Sequence, residues 1–339
     1  MASIWIDIKN SHEPAFFRSF LTRFKRHEFS ITSRKYAEIQ KLLEQSRIKN
    51  KTIGRHHGEN IFKKMSGLVI RDLLLSLKAP TFDVSFSHGS INAIHVSKLK
   101  NKPAISFYDN ENAVIGNRIS FRFVDYLVTP KALPISTLIE QGAKEDCIIQ
   151  YDGFKEDIYE ADFDHDPNFL KYLPFNDFIT IRPEALQAAY VKGEKSIVPD
   201  LFKGFKKENI NILYLPRYQT DRNYAKGLDV FIPDGPLNGL DVCHYSKTVL
   251  TGSGTFAREA ACMGTPAVSF YPKELLAVDQ KMVDDKWMLH SRDPGEIVEY
   301  VLSHKKRSPD FSRSKTVQSE VFKIFGEIMD EIENKSGAR

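Results

Sequence analysis

The chain has 339 residues, a length that suggests two domains, each able to bury an apolar core. Hydrophobic residues make up 42% and charged residues 27%, which excludes intrinsic disorder, collagen and a disulfide-stapled miniprotein. No apolar run approaches the roughly 18 residues of a membrane-spanning helix, and the first residues lack a secretion signal. We therefore expect a cytoplasmic protein whose three separated cysteines are small buried apolar residues.

The net charge of +4 conceals a strongly basic segment. Between Arg18 and Lys64 there are 13 Lys and Arg against four Glu, so this segment carries +9 and the rest of the chain −5. Such a segment is either a solvated helix face or a surface for an anionic partner, such as a phospholipid surface or a lipid-phosphate acceptor. No RNP, zinc-finger or basic-zipper pattern accompanies the charge, so we expect no nucleic-acid partner.

Strand and helix signals alternate along the first half of the chain. The predicted strands are residues 4–8, 82–86, 104–107, 126–128 and 147–150. A helix is predicted after Pro14, and further helices at residues 36–43, 61–77 and 91–99. The first helix carries a stripe of phenylalanines, which is more typical of a core than of a membrane anchor. This rhythm predicts a parallel sheet with helices on both faces.

Residues 152–176 interrupt the rhythm with acids, prolines and scattered aromatics, as an interdomain linker does. The rhythm then restarts, with predicted strands at 178–181, 212–215, 230–232, 248–250 and 267–270, and helices at 200–207 and 256–263. A last helix covers 312–334. The sequence thus predicts two similar α/β domains, residues 1–165 and 166–311, and a C-terminal helix, 312–339, that packs back on the first.

The segment from Thr251 to Pro272 carries the strongest chemical signal. A strand leads into the small-residue loop 251–255, a helix runs to Met263, and Gly264 is placed to cap it. Such a loop leaves backbone N–H and hydroxyl groups at the positive end of a helix, which suits a diphosphate. A tight structural turn is the alternative. No GK[ST] sequence follows, so this is not a Walker loop.

The pattern G-S-G-T-x-x-R-E-A-A-x-x-G-T-P of residues 252–266 resembles the donor-binding loop and helix of the GT-B superfamily. The branch it resembles contains the UDP-N-acetylglucosamine 2-epimerases and the MurG-type glycosyltransferases. The whole chain resembles more closely DUF354, an uncharacterised, largely archaeal family of that superfamily. The matching pieces are I-W-I-D-I-x-N at 4–10, F-x-D-N-E-x-A at 107–113, N-R at 117–118, R-P-E at 182–184, L-P-R at 215–217 and D-G-P-L-N-G-L-D at 234–241.

This resemblance implies two Rossmann-like domains that face each other across a cleft. It also implies that the second domain holds most of a nucleotide diphosphate and that no metal ion or other cofactor is required. By the resemblance, Ser253, Gly254 and Thr255 hold phosphates and Glu259 holds the ribose hydroxyls.

Two arginines of the second half follow predicted strands directly, where sheet topology places ligands. Arg182 and Arg217 are therefore candidates for neutralising diphosphate charge, with a surface salt bridge as the alternative for each. Gly239 and Asp241 follow a Pro/Gly loop, where they either shape a base pocket or turn the chain.

In the first half, His12 lies in the loop after the first predicted strand, where enzymes of this superfamily approach the acceptor or the sugar. A neutral imidazole there suits a general base for an acceptor hydroxyl, because its ordinary pKa is near 6.5. Asp7, at the end of that strand, would orient it. The alternative is that His12 caps the helix and Asp7 bonds the loop backbone. His88, which follows another strand, is the next candidate.

A third group of polar residues follows the strand at 104–107. Asn110 and Glu111, beside Asp109, would open into the cleft, where an acid contacts sugar hydroxyls or acts on a proton. Arg118, in the matching N-R pair, completes the candidate substrate-binding set.

The resemblance leaves two reaction types open. The epimerase route eliminates UDP and adds it back to the other face of the sugar, which requires several carboxylates and a histidine. This chain has Ser90 where the epimerases' His-Gly-Asp ends in an acid, and Ile181 where their His-Arg-Arg-Glu-Asn begins with the histidine. It also lacks both acids of their Glu-Glu-Ile-Asn-Arg before Arg118 and keeps one acid at Glu111.

A transferase requires only donor binding and one base. We therefore expect a metal-independent glycosyltransferase that uses a UDP-sugar for a surface polysaccharide or glycolipid. Its acceptor would be lipid-linked or a saccharide, and its basic first half would suit peripheral contact with a membrane. The alternatives are a UDP-N-acetylglucosamine 2-epimerase-like enzyme and a non-catalytic nucleotide-sugar-binding protein.

Overall fold

The computed structural model describes residues 1–10, 12–35, 37–55, 61–186, 194–306 and 308–337. The chain divides into two compact units. Unit 1 contains Met1–Tyr159 and Lys315–Arg339, and unit 2 contains Glu160–Ser314. The boundary predicted at residue 165 falls shortly after this division.

Unit 1 is built on a seven-stranded sheet in which every neighbouring pair of strands is parallel. Its strands are β1 Ser3–Ile8, β2 Glu28–Lys35, β3 Lys51–Arg55, β4 Val84–His88, β5 Ala104–Phe107, β6 Tyr126–Pro130 and β7 Ile148–Tyr151. Its helices are α1 Glu13–Arg23, α2 Ala37–Gln45, α3 Ile61–Lys78, α4 Ile91–Leu99, α5 Val114–Ser120, α6 Ile135–Glu140 and α7 Lys155–Glu160.

The strand order in unit 1 is β3-β2-β1-β4-β5-β6-β7. The order reverses between β1 and β4, so the connections after these two strands leave the sheet in opposite directions. Such a reversal opens a crevice at the carboxyl ends of the strands, which is where open parallel sheets bind ligands.

The phenylalanine stripe of α1 belongs to the core of unit 1. Phe17 and Phe20 lie edge to face with Phe86 of β4, at ring-centroid distances of 5.0 and 4.8 Å. Phe325, on the last helix of the chain (α13, Ser312–Gly337), reaches the same ring at 4.7 Å. These contacts bury aromatic surface, which is the main source of stability in such a core.

The basic segment contains two strands that the sequence does not predict, β2 and β3. The reason is visible in β3, an edge strand in which Ile53 alone is buried among Lys51, Thr52, Gly54 and Arg55. An edge strand needs little apolar surface and tolerates charge, so its hydrophobic pattern is weak.

Unit 2 carries a five-stranded sheet in the order β12-β11-β10-β8-β9, also with parallel neighbours. Its strands are β8 Ile179–Arg182, β9 Ile212–Tyr214, β10 Val249–Thr251, β11 Ala267–Ser269 and β12 Met288–His290. Its helices are α8 Val198–Phe205, α9 Gly239–Tyr245, α10 Gly254–Cys262, α11 Ala277–Asp284 and α12 Pro294–Ser303. The reversal of strand order lies between β8 and β10, and it again marks a crevice at the carboxyl ends.

The strand predicted at residues 230–232 is wrong. This stretch forms one bridge, Phe231 to Leu213, because Pro233 and the turn residues after it end the extended chain. Gly264, by contrast, follows α10 with a φ of +76°, as expected of a helix-ending glycine. Among the residues that the structure describes, none of the helices combines the length and apolar character that crossing a bilayer requires.

Candidate functional site

Two histidines meet at the crevice of unit 1. His12 follows β1 and His88 ends β4, and their rings pack edge to face with centroids 5.2 Å apart. His88 Nε2 lies 3.6 Å from Oδ1 of the buried Asp109, which follows β5. The fold thus gathers the two predicted histidines and an acid from three adjacent strands, an arrangement suited to proton transfer.

A buried lysine extends this cluster. Lys155, in α7, places Nζ 2.8 Å from Asp109 Oδ2 and 3.5 Å from Glu156 Oε1, with side chains at most 9% exposed. Its positive charge compensates these buried carboxylates, which would otherwise be costly to hold away from water. Sequence reasoning missed Lys155 because it lies within residues 152–176, whose composition indicates an interdomain linker.

The loop between β1 and α1 holds a second acid. Glu13 accepts a hydrogen bond from the Lys9 backbone N–H and another from Asn10 Nδ2, each at 2.7 Å. Burial raises the pKa of Glu13 to about 7, against the opposing charge of Lys9. His12 occupies the N-cap position of α1, but its side chain makes no capping hydrogen bond. The loop therefore offers one carboxyl group, that of Glu13, whose pKa lies near neutral pH.

His12, Glu13 and His88 together offer ligand atoms of the kind that bind a metal ion. One ligand atom from each of His12, Glu13 and His88 lies within 4.8 Å of the others. Two imidazoles and a carboxylate are ligands that zinc accepts. Both Glu13 oxygens, however, already accept hydrogen bonds from the loop, and a cation would compete with them.

Asp7 lies at the end of β1 but is occupied by other partners. Its two oxygens accept hydrogen bonds from Arg71, Ser90 and Thr32 at 2.6 to 2.8 Å. Burial favours the neutral acid, yet the charge of Arg71 and these hydrogen bonds outweigh it and lower the pKa of Asp7. Asp7 therefore stabilises the packing of α3 against the sheet beside the crevice. Sequence reasoning did not identify Arg71 as its partner.

The residues after β5 form the rim of unit 1. Asn110 and Arg118 are exposed and Glu111 is half-buried. The backbone carbonyls of Asn110 and Glu111 accept hydrogen bonds from Asn117 Nδ2, at 3.2 Å, and Gln141 Nε2, at 2.9 Å. These two amides, joined to each other at 2.5 Å, fix the loop that carries the predicted polar residues.

In unit 2 the crevice brings together the ends of β8 and β10. The Gly252 N–H donates to the Arg182 carbonyl at 3.1 Å. A Cβ atom added to Gly252 would lie 2.6 Å from the Cα of Glu184, closer than real contacts allow. Glycine is therefore required for the loops after these two strands to approach each other.

The loop 251–255 ends at the first turn of α10. Ser253 occupies the N-cap position, and its side chain makes no capping hydrogen bond. Thr255 Oγ1, in that first turn, accepts a hydrogen bond from Arg258 Nη2 at 3.4 Å. The first N–H groups of a helix lack intrahelical partners and carry partial positive charge. The structure thus places a helix N-terminus where the sequence predicts one.

The two predicted arginines both reach this end of the sheet. The Arg182 guanidinium lies 5.6 Å above the ring of Phe256, in the first turn of α10. Arg217 Nε donates to the Pro183 carbonyl at 2.9 Å, which ties it to the loop after β8. The Arg182 guanidinium thus lies beside the first turn of α10, and Arg217 is held at the loop after β8.

Glu259 lies one turn further along α10, beside the start of α9. A Cβ atom on Gly239 would be 3.9 Å from its Oε2. Asp241, in the same turn of α9, is buried and accepts the Asp166 N–H at 2.8 Å, and burial raises its pKa. Gly239 therefore leaves room next to a carboxylate, while Asp241 is a structural residue.

Two further charged pairs of this region escaped sequence reasoning. Glu184 is buried and accepts hydrogen bonds from Ser196 Oγ at 2.7 Å and Arg292 Nη1 at 3.1 Å. Arg258 and Asp279 form a buried ion pair at 2.6 Å. One residue of each pair, Glu184 or Arg258, stands in a matched motif, but its partner is distant in sequence and has no local signal.

The chain is similar to known proteins in sequence and in fold. An uncharacterised protein of Methanocaldococcus jannaschii, MJ0665, is 27% identical over 313 residues, 88% of this chain and 90% of that protein. The structure of UDP-N-acetylglucosamine 2-epimerase from Rickettsia bellii matches with a TM-score of 0.71 and 14% identity over the whole of both chains. The structure of Anabaena Alr3699/HepE in complex with UDP and glucose matches with a TM-score of 0.63 and 11% identity, covering 98% of this chain and 100% of that one.

These structural likenesses confirm the predicted GT-B-like α/β fold. The model of the family described as "Protein of unknown function (DUF354)" matches residues 2–332, nearly the whole length. This chain therefore belongs to the DUF354 family.

Proposed function

We propose that this protein is a metal-independent glycosyltransferase that takes its sugar from a UDP-sugar and works in surface polysaccharide or glycolipid synthesis. The observation that supports the proposal is the arrangement at the carboxyl end of the unit 2 sheet, where the Gly252 loop meets the loop after β8, Arg182 lies over Phe256 in the first turn of α10, and Arg217 bonds the Pro183 carbonyl. The names of similar structures support the ligand class, since one is a UDP-N-acetylglucosamine 2-epimerase and another holds UDP and glucose.

In this proposal unit 2 binds the donor. The N–H groups and hydroxyls of Ser253, Gly254 and Thr255 hold the diphosphate, with Arg182 and Arg217 neutralising its charge. This task is electrostatic: these groups also stabilise the negative charge that develops on the departing diphosphate. Glu259, next to the space left at Gly239, would accept hydrogen bonds from the ribose hydroxyls.

Unit 1 supplies the base. His12 accepts the proton of an acceptor hydroxyl, whose oxygen attacks the anomeric carbon of the sugar while the bond from that carbon to the diphosphate oxygen breaks. His88, which lies 3.6 Å from Asp109, packs its ring edge to face against that of His12 and would hold the base in position. In this proposal the exposed Asn110 and Arg118 and the half-buried Glu111 would bind hydroxyl groups of a saccharide or lipid-linked acceptor.

Donor binding is tested by calorimetry without added metal, using UDP, UDP-N-acetylglucosamine, GDP and CMP. We expect a uridine ligand to bind and Glu259→Ala to weaken it by about tenfold, because two hydrogen bonds to ribose are lost. Glu299→Ala, an exposed acid on α12, is the matched control and should bind as the wild type does. Failure of every nucleotide to bind at millimolar concentration would refute the transferase and epimerase functions together.

The epimerase-like function is the second candidate, because the Rickettsia bellii epimerase shares the fold over the whole chain. NMR of the protein with UDP-N-acetylglucosamine alone distinguishes the two functions, since an epimerase forms the 2-epimer without an acceptor. His12→Gln separates catalysis from binding: a transferase loses turnover and keeps its affinity for UDP, whereas a non-catalytic binding protein keeps its function.

A further inference from the structure

The outward face of α3 is apolar, although α3 is a surface helix. Five of its large hydrophobic side chains have relative exposures of 42 to 82%, namely Met65, Val69, Ile70, Leu73 and Leu77, and the other exposed residues among 65–78 are Ser66 and Lys78. The charges in the middle of the helix point inward instead, with Arg71 bonded to Asp7 and Asp72 to His95. A surface helix ordinarily has the opposite arrangement, with its charges toward water.

These five side chains form one continuous surface, which we call the α3 face. At about 100° per residue they fall within an arc of about 140°, and at about 1.5 Å per residue the stretch from Met65 to Leu77 is about 18 Å long. Leu75, on the opposite side, is fully buried. A contiguous apolar surface of this kind marks an interaction site rather than scattered surface hydrophobics.

Basic side chains border the α3 face. Lys51 and Arg55 lie at the two ends of the edge strand β3, Lys78 ends α3, and all three are exposed. Lys51 Nζ donates to the Lys78 carbonyl at 2.9 Å, which places the first strand residue at the end of the helix. β3 packs on α3, since a Cβ atom on Gly54 would lie 3.1 Å from the Arg71 side chain. The apolar stripe is therefore bordered by cations.

We propose that the α3 face docks on an anionic lipid surface. Apolar side chains of this kind enter the boundary between headgroups and acyl chains, and each lysine or arginine near the surface adds attraction to anionic headgroups. A second copy of this chain fits less well, because a symmetric contact would bring Lys51, Arg55 and Lys78 of both copies together. This inference does not depend on the proposed chemistry.

Vesicle flotation tests the proposal with the full chain. Vesicles of equal parts phosphatidylglycerol and phosphatidylcholine should carry the wild-type protein, and vesicles of phosphatidylcholine alone should carry much less. Leu73→Glu with Leu77→Glu should reduce the bound-to-free ratio by more than about tenfold, since two apolar anchors become anions. Leu302→Glu, at a 55% exposed leucine of unit 2, is the matched control and should leave binding unchanged.

A second variant tests the cationic border while preserving the apolar surface. Lys51→Gln with Lys78→Gln should weaken binding to the anionic vesicles, and added salt should weaken the wild type in the same way. Far-ultraviolet circular dichroism verifies that each variant is folded.

Two results would overturn the proposal. One is equal flotation of the Leu73→Glu, Leu77→Glu variant and the Leu302→Glu control. The other is a wild-type protein that stays off anionic vesicles and sediments as a dimer that the Leu73→Glu, Leu77→Glu variant splits into monomers, because a second copy would then cover the α3 face.

Discussion

Asp7 at the end of β1 and Arg71 in the middle of α3 form a buried, bidentate ion pair. Arg71 Nη1 donates to Asp7 Oδ2 at 2.8 Å and Nη2 donates to Oδ1 at 2.6 Å, with side chains 6% and 0% exposed. Ser90 and Thr32 donate to the same carboxylate. All four hydrogen bonds that a carboxylate ordinarily accepts are thus made inside the fold.

We predict that this pair holds unit 1 together. Arg71→Met leaves Asp7 charged and buried, so it should lower the free energy of unfolding by about 3–5 kcal/mol. Asp7→Leu combined with Arg71→Met removes both charges and should recover much of that loss. Urea unfolding followed by circular dichroism measures both effects. An Asp7→Asn variant that keeps wild-type stability and loses only turnover would instead indicate a catalytic carboxylate.

The alternation of elements could be predicted from the sequence wherever strands are buried on both faces. The predicted strand at residues 104–107 and helix at 91–99 coincide with β5 and α4, because apolar runs and their boundaries are local signals. The strands β2 and β3 could not be predicted, since the charged and polar residues of EFSITSRK in β2 and of KTIGR in the edge strand β3 hide the hydrophobic pattern. The strand predicted at 230–232 is wrong, because three apolar residues before a proline do not form the repeated backbone hydrogen bonds of a strand.

For the candidate sites, sequence reasoning found the residues at strand ends and missed their partners. His12, His88 and the loop 251–255 lie at strand ends or in the loops that follow them, so topology alone brings them to the crevices. Arg71 and Lys155 lie on helices 64 residues from Asp7 and 46 residues from Asp109. Such ion pairs depend on tertiary packing, and no local spacing in the sequence predicts them.

Gly252 and Gly264 give a matched pair of glycine substitutions. Gly252→Ala should destabilise unit 2 by about 2 kcal/mol and displace the loop after β10, because the new methyl group meets the Glu184 backbone. Gly264→Ala should cost about 1 kcal/mol from its positive φ alone, since no atom lies within 4 Å of the added Cβ. Thermal unfolding measures stability, and calorimetry with UDP measures the anion site. We expect Gly252→Ala to lose UDP binding and Gly264→Ala to retain it.

His95 links the stability of unit 1 to pH. The hydrogen bond between its Nδ1 and Asp72 Oδ2, at 2.9 Å, raises the pKa of His95, aided by the Ile119 carbonyl and opposed by burial. The folded protein therefore binds this proton more tightly than the unfolded chain, whose histidine has a pKa of 6.5. The resulting stability is complete below that value and is lost as the pH rises through the folded pKa.

We predict that His95→Gln is more destabilising at about pH 5.5 than at about pH 8.5, because only the charged imidazole gains from Asp72. Urea unfolding at the two pH values measures this difference. A penalty for His95→Gln that grows with pH would contradict the assignment.

His244 should act in the opposite direction in unit 2. Its ring stacks on His165 at a centroid distance of 4.5 Å and 14°, and its carbonyl accepts a hydrogen bond from Lys306 Nζ. Burial and the nearby positive charge of Lys306 and His165 lower the pKa of His244 to about 4. Burial also lowers the pKa of Lys306 to about 8. The folded protein therefore keeps the His244 imidazole neutral at pH values where the unfolded chain, with a pKa of 6.5, is protonated.

We predict that this histidine destabilises the protein as the pH falls from about 6.5 toward the folded value near 4, because the unfolded state then binds the extra proton. His244→Phe keeps an aromatic ring to stack on His165 and removes the titration, so its melting temperature should fall less than that of the wild type between about pH 7 and about pH 5. Differential scanning calorimetry of both proteins across this range gives the comparison. Parallel pH profiles would mean that His244 takes up its proton in the folded state as readily as in the unfolded one, and that Lys306 and His165 do not oppose its charge.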